Sequence, residues 1–90
     1  MDTNYYTQKP RRSEFLWKKG ADGLIMLRLI QSQEVIPLGP VGSEVFERCD
    51  GKTTVAEITG DLRKKYSQIP AYHLEHDVYH FLHWLQSMGL

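Results

Sequence analysis

Ninety residues form one small domain, because a chain of this length has no room for a second hydrophobic core. Hydrophobic residues make up 41% and charged residues 24% of the chain, an ordinary globular composition. The single cysteine, Cys49, excludes an internal disulfide and a cysteine-based zinc site, and it indicates a cytoplasmic protein. The net charge is zero, with +3 in residues 1–28 and −3 in residues 29–90. No Lys or Arg follows Lys65, which disfavours a nucleic-acid partner.

The sequence predicts neither export nor membrane insertion. Residues 1–13 are polar and lack the apolar segment of a secretory signal. The longest apolar run, Leu24 to Leu27, is far shorter than the roughly 18 residues that a membrane span needs. We therefore expect a flexible N-terminal arm over residues 1–13, a folded domain over residues 14–90 and no membrane partner.

Three short apolar segments in the first half of the chain predict strands. They cover Phe15-Leu16-Trp17, Leu24 to Ile30 and Glu34 to Leu38. The polar turn Gly20-Ala21-Asp22-Gly23 and a second polar break separate them, which favours an antiparallel meander. Because Pro37 cannot donate a backbone hydrogen bond, the third strand is predicted to lie at the edge of the sheet.

The second half of the chain has helical periodicity and predicts three helices. The first carries a buried stripe that includes Cys49, and Asp50-Gly51 ends it. The second begins at a capping box formed by Thr54 and Glu57. The third begins near Pro70 and carries a long apolar stripe: Leu74, Val78, Phe81, Leu82, Leu85 and Met88. Three strands followed by three helices predict an α+β domain of winged-helix-like architecture, with the helices packed on the sheet.

Four histidines lie on one exposed face of the third predicted helix: His73, His76, His80 and His83. His76 and His80 have the i, i+4 spacing of paired metal ligands, but no Cys, Asp or Glu lies on the same line to complete a ligand set. A pH-responsive partner surface is a second interpretation. An ordinary polar helix face is the simplest, so we expect no metal site.

The sequence carries no catalytic motif. Gly39-Pro40-Val41-Gly42-Ser43 lacks the spacing and the lysine of a phosphate-binding loop, and no G-x-S-x-G surrounds Ser43. The carboxylates are typical of turns, caps and helix surfaces. We expect a non-catalytic protein with no cofactor.

Residues 46–62 resemble the centre of the PqqD-like family, the RiPP recognition elements of peptide maturation, with Asp50-Gly51 and Thr54-Val55 in register. Asp77-Val78, Phe81-Leu82 and the terminal Gly89-Leu90 are similar to the family's last helix. The resemblance covers roughly residues 14–90. Two positions depart from the family pattern: Gly39 follows Leu38 where Asn is common, and Pro37 interrupts the strand.

The resemblance implies a precursor-peptide chaperone. Such a protein binds the leader of a ribosomally synthesised precursor peptide as an added strand, and presents it to a modifying enzyme, often a radical SAM protein. The leader would lie between the third strand and the third helix. The expected peptide-binding residues come from both elements: Glu34, Val35, Ile36, Leu38, His73, Asp77, Phe81 and Trp84.

Two other functions remain open at this point. A winged-helix DNA-binding protein has the same order of elements, but its recognition helix needs cations, and the third helix has none. A general protein-interaction subunit is the other alternative. A homodimer through the free sheet edge is also possible.

Overall fold

The sheet is a three-stranded antiparallel meander in which the middle strand is central. The computed structural model describes residues 3–11, 16–29 and 32–88. The strands are β1 (Leu16–Lys19), β2 (Ile25–Arg28) and β3 (Val35–Pro37), in the spatial order β1-β2-β3. This confirms the predicted meander and the edge position of the third strand. Phe15, Ile30 and Gly89-Leu90, which entered the predicted patterns, lie outside the described residues.

The turn between β1 and β2 forms as its residues predict. Gly23 has φ +84°, a conformation that glycine adopts without strain. Asp22 Oδ1 accepts a hydrogen bond of 3.0 Å from the Leu24 N–H. The Gly20 N–H donates to the Leu24 carbonyl at 2.8 Å, and this bond closes the hairpin.

Four helices complete the α+β fold: α1 (Thr3–Thr7), α2 (Pro40–Arg48), α3 (Val55–Lys65) and α4 (Ala71–Ser87). The last three confirm the predicted helices, whereas winged-helix likeness stays a prediction. The capping box is present, since Thr54 Oγ1 accepts from the Glu57 N–H at 3.1 Å and Glu57 Oε1 accepts from the Thr54 N–H at 3.0 Å. Gly51, at φ +78°, allows the chain to turn between α2 and α3.

The core lies between one face of the sheet and the three longer helices. Its buried apolar residues are Ile25, Leu27, Leu38, Val45, Phe46, Cys49, Val55, Ile58, Leu62, Leu74, Val78, Leu82 and Leu85. Strand β2 alternates between buried and exposed positions, so Ile25 and Leu27 face the helices while Met26 and Arg28 face away from them. Cys49 is buried, as predicted.

A serine hydroxyl joins α2 to the end of the sheet. Ser43 Oγ accepts a hydrogen bond of 2.9 Å from the Ile25 N–H and donates one of 3.4 Å to the Leu38 carbonyl. The hydroxyl therefore lies between two backbone groups of adjacent chain segments at the point where β3 leads into α2.

Two basic residues at the end of α3 join neighbouring helices rather than only facing solvent. Lys65 Nζ lies 2.5 Å from Glu44 Oε1 of α2, and Arg63 pairs with Glu75 of α4. Although burial acts to raise the pKa of Glu44, hydrogen bonds from Lys65 and Arg48 lower it overall. These pairs fix the end of α3 between α2 and α4.

The described part of the N-terminal arm packs along α3 and α4. Tyr5 contacts Tyr79 with ring centroids 5.2 Å apart. The Val55 N–H donates to the Gln8 carbonyl and the Gly51 N–H to the Pro10 carbonyl, both at 2.9 Å. The motion of residues 1–13 in solution stays a prediction, but residues 3–11 have specific partners on the domain.

Candidate functional site

An apolar groove of about 440 Å³ opens where β3, α2 and α4 meet. Its position follows from the chain order, because β3 leads directly into α2 and α4 packs beside α2. The lining residues are mostly apolar: Ile36, Pro37, Leu38, Gly39, Pro40, Val41, Gly42, Asp77, Phe81 and Trp84. A site of this kind binds ligands chiefly by removing apolar surface from water.

The wall on α4 consists of Asp77, Phe81 and Trp84. Their spacing of four and three residues places them on one side of the helix. The rings of Phe81 and Trp84 are half-buried, with centroids 5.8 Å apart and planes at 37°. This pair presents a continuous aromatic surface to the groove.

The wall on α2 brings backbone close to the aromatic side chains. A Cβ at Gly42 would lie 2.9 Å from Phe81 Cε2, closer than carbon atoms approach each other in proteins. Only glycine fits here without moving the ring. The missing side chain therefore sets the position of Phe81 and the width of the groove.

The third wall is strand β3, whose outer edge is free among the described strands. The Leu38 N–H donates to the Ile25 carbonyl at 2.8 Å and the Leu29 N–H to the Glu34 carbonyl at 2.9 Å. Backbone groups in an antiparallel pair alternate between the partner strand and the opposite side. Hence Ile36 bonds toward β2, and the backbone groups of Val35 and Pro37 point to the free edge.

The backbone nitrogen of Pro37, which carries no hydrogen, therefore faces the free edge. The sequence left open whether this missing donor faces the sheet or the free edge. Since Pro37 lies opposite Met26 in a non-hydrogen-bonded pair, the β2–β3 ladder loses no bond. The free edge offers the N–H and C=O of Val35 and the C=O of Pro37.

Five of the eight residues expected to bind peptide line this groove: Ile36, Leu38, Asp77, Phe81 and Trp84. The other three lie outside it. Glu34 precedes β3 and is exposed, whereas Val35 is 52% exposed and lies on the helix-free face of the sheet. His73 is exposed near the start of α4, where its ring packs on Tyr72.

The start of α2 is the part of the groove that we did not predict. Gly39, Pro40, Val41 and Gly42 all line it. A glycine within the first turn of a helix was the available signal, because glycine is costly there unless another group approaches closely.

Asp77 is the only residue among those lining the groove with an ionisable side chain. One carboxylate provides no nucleophile–base pair and no pair of carboxylates for acid–base chemistry. The arrangement is suited to binding an apolar segment, with Asp77 available to accept hydrogen bonds at one side.

The histidine face is exposed, as expected, and it lies beside the groove rather than in it. His76 and His80 approach each other with Nε2 atoms 2.9 Å apart. Within residues 3–11, 16–29 and 32–88, no three His, Cys, Asp or Glu side chains form a group that could hold a metal ion. In the same ranges, no helix is both long and apolar enough to cross a membrane.

Comparison with known proteins shows that residues 24–90 match the family model described as coenzyme PQQ synthesis protein D (PqqD). Searches of curated proteins and of solved structures found no match. The matched range covers β2, β3 and the helices α2 to α4, and so contains all three walls of the groove. PqqD proteins are non-catalytic accessory proteins, and the family indicates a peptide partner and an enzyme partner in cofactor or peptide-product biosynthesis. Since the match spans most of the chain, this protein belongs to the PqqD family.

Proposed function

We propose that this protein captures the leader of a ribosomally synthesised precursor peptide as an added strand on β3, and delivers it to a modifying enzyme. The observation that carries the proposal is the free edge of β3 directly beside an apolar groove. Edge backbone groups supply hydrogen bonds to an incoming strand, while adjacent pockets select its alternate side chains.

The arrangement favours a peptide with apolar residues at alternate positions. A strand added to β3 turns every second side chain toward the helices, where Phe81 and Trp84 form the wall. The remaining side chains would lie on the helix-free face, beside Val35. This geometry thus supports selection of peptides that have apolar residues at alternate positions.

Few backbone hydrogen bonds are offered by the edge. Val35 can exchange two with an opposing residue, and the Pro37 carbonyl can accept one more. Affinity must therefore come largely from side chains buried in the groove, because each backbone bond contributes only about 0.5–1.5 kcal/mol. This makes the aromatic pair on α4 the main expected determinant of binding.

The helix-free face provides a place for charge selection. Lys18 and Arg28 lie there near the exposed side chains of Leu16 and Met26. Lys19, by contrast, pairs with Glu47 at 2.9 Å. Acidic residues in the outward positions of a leader would be steered by these cations. The modifying enzyme is expected to be a radical SAM protein, which fits a carrier that brings the peptide and performs no chemistry.

The test is an NMR titration of the ¹⁵N-labelled protein with synthetic peptides made from short reading frames beside its gene. Leader binding should shift amides of residues 34–38 and 73–84 and saturate at micromolar peptide. A scrambled peptide of the same composition should cause no saturable shift, because it loses the alternation.

Two variants separate the groove from the rest of α4. Trp84→Ala removes part of the aromatic wall and should weaken binding by about tenfold or more. Tyr72→Ala, at a side chain that is 70% exposed and outside the groove, should bind like the unmodified protein. Absence of shifts with every peptide, from a folded sample, would refute leader capture. A gel shift at low salt would then test the DNA-binding alternative.

A further inference from the structure

The two central histidines of α4 share a hydrogen bond across one helical turn. His80 Nε2 lies 2.9 Å from His76 Nε2, and the ring centroids are 4.2 Å apart. Both side chains are exposed. In the neutral pair one Nε2–H donates to the lone pair of the other ring, so both Nε2 atoms point into the same small volume.

This separation allows both Nε2 atoms to reach one metal ion. With metal–imidazole bonds of about 2.0–2.1 Å, two cis ligands at 90° lie about 2.9 Å apart, whereas tetrahedral ligands lie about 3.3 Å apart. The observed 2.9 Å, which is the length of the hydrogen bond itself, lies within about half an ångström of both values, so either geometry needs only a small movement of the rings. Square-planar or tetragonal coordination by nitrogen and oxygen is typical of Cu²⁺ and Ni²⁺, and imidazole sites hold Cu²⁺ most tightly.

We propose that His76 and His80 form a two-nitrogen site for Cu²⁺ on the exposed face of α4. On binding, the donating ring changes to its Nδ1–H tautomer, so that both Nε2 lone pairs bind the ion and no net proton is released. Water fills the remaining positions, since the described residues place no third such ligand there.

The aromatic surroundings help to hold the pair in place. The Tyr79 ring lies edge-on to His80, with centroids 5.7 Å apart and planes at 84°. Tyr79 is itself packed between His83 and Tyr5 of α1. The His80 ring thus has less freedom to lose on binding an ion, which favours chelation over separate binding at each histidine.

The test is a calorimetric titration of the full chain with Cu²⁺ alone, in a buffer that does not bind metals, together with electron paramagnetic resonance. We expect one strong site with a spectrum of two imidazole nitrogens. Either His76→Ala or His80→Ala should weaken it about 10²-fold, because the second ligand no longer acts at high effective concentration. Zn²⁺ should bind more weakly than Cu²⁺.

The matched control is His73→Ala, which removes an outer histidine of the same face and leaves Tyr79 and its ring contacts in place. It should keep the affinity and the spectrum. If both single variants at positions 76 and 80 retain strong binding, the ion lies elsewhere, such as at the N-terminal amine, and the proposal is wrong. It is equally wrong if the control variant loses the site, or if the unmodified chain shows no two-nitrogen spectrum.

Discussion

Phe81 occupies the space that a side chain at Gly42 would need. A Cβ at position 42 would lie 2.9 Å from Phe81 Cε2 and 3.2 Å from Phe81 Cδ2. The aromatic wall of the groove is therefore positioned by a backbone contact between α2 and α4, and a single methyl group should be enough to move it.

Gly42→Ala should change binding more than stability. Alanine is favoured over glycine in a helix by roughly 1 kcal/mol, which offsets the displacement of the Phe81 ring. We expect shifted aromatic resonances of Phe81, a free energy of unfolding within about 1 kcal/mol of the unmodified protein and weaker peptide binding. Gly60→Ala is the control, because a Cβ there meets no atom within 4 Å. If both variants bind peptide equally well, Gly42 does not set the groove.

Proline substitutions can separate the free edge of β3 from its paired side. Val35→Pro removes a donor that points outward, so peptide affinity should fall while the fold is kept. Ile36→Pro removes a donor that points toward β2 and should destabilise the sheet instead. Urea unfolding and peptide titration of both variants measure the two effects. A Val35→Pro protein with unchanged affinity would exclude strand addition at this edge.

Ser43→Ala should destabilise the domain by about 1–3 kcal/mol, since it leaves the buried Ile25 N–H without its acceptor. The free energy of unfolding, from urea titration followed by circular dichroism, measures this loss. Ser67→Ala, at an exposed position after α3, should change it by less than about 0.5 kcal/mol. Equal stability of the two variants would mean that the hydroxyl bridge contributes nothing.

Tyr5→Phe should make the protein less sensitive to alkali. Burial, with smaller effects from Tyr6 and Tyr79, raises the pKa of Tyr5 to about 12. The unfolded chain loses this proton near pH 10, so stability falls as the pH rises from there toward the folded pKa. The hydroxyl is buried and has no hydrogen-bond partner among the described residues, so its removal should cost little at neutral pH. The measurement is thermal unfolding of both proteins at pH 7 and pH 10.5. Equal losses of stability in the two proteins between these pH values would contradict the prediction.

Asp50→Asn should remove part of the acid sensitivity of the fold. Hydrogen bonds from the backbone N–H groups of Lys52 and Thr53 lower the pKa of Asp50. Its stabilisation is complete above the ordinary pKa of about 4 and is lost as the pH falls through the lower folded value. The variant should therefore be less stable at pH 7 and converge with the unmodified protein near pH 2–3. The urea midpoints of both proteins between pH 7 and pH 2–3 test this prediction. A difference in midpoint that stays constant over this pH range would contradict it.

Local signals carried much of the fold. The capping box at Thr54 and Glu57, the turn at Gly23 and the stop at Gly51 each depend on residues a few positions apart. Alternation in β2 and the stripe on α4 likewise follow from period alone. The packing of α1 on the domain did not follow, because Tyr5 depends on Tyr79, which is distant in the sequence.

The parts of the site that depend on the edge of the sheet and on the apolar face of the last helix could be predicted from the sequence. The parts that depend on contacts between different elements were harder to predict. Pro37 indicated the free edge, and the expected binding residues on the last helix included Phe81 and Trp84. The backbone groups of β3 that face outward are set by which residue pairs of the β2–β3 ladder are hydrogen-bonded. The sequence of β3 does not reveal which pairs these are. The contribution of Gly42 likewise appears only when α2 and α4 are placed side by side.

Pro37 also bears on what the protein avoids. An exposed strand edge is a template for further copies of the same chain, and unlimited addition leads to aggregation. Because the nitrogen of Pro37 is on the outer side, strand β3 of a second copy of the chain finds no hydrogen-bond donor at that position. The second copy lacks the same donor on its own edge. The edge thus keeps enough bonding capacity for one short strand held by side-chain contacts, while sheet growth between identical molecules is disfavoured. We expect this to keep the protein monomeric at concentrations where an uninterrupted edge would form fibres.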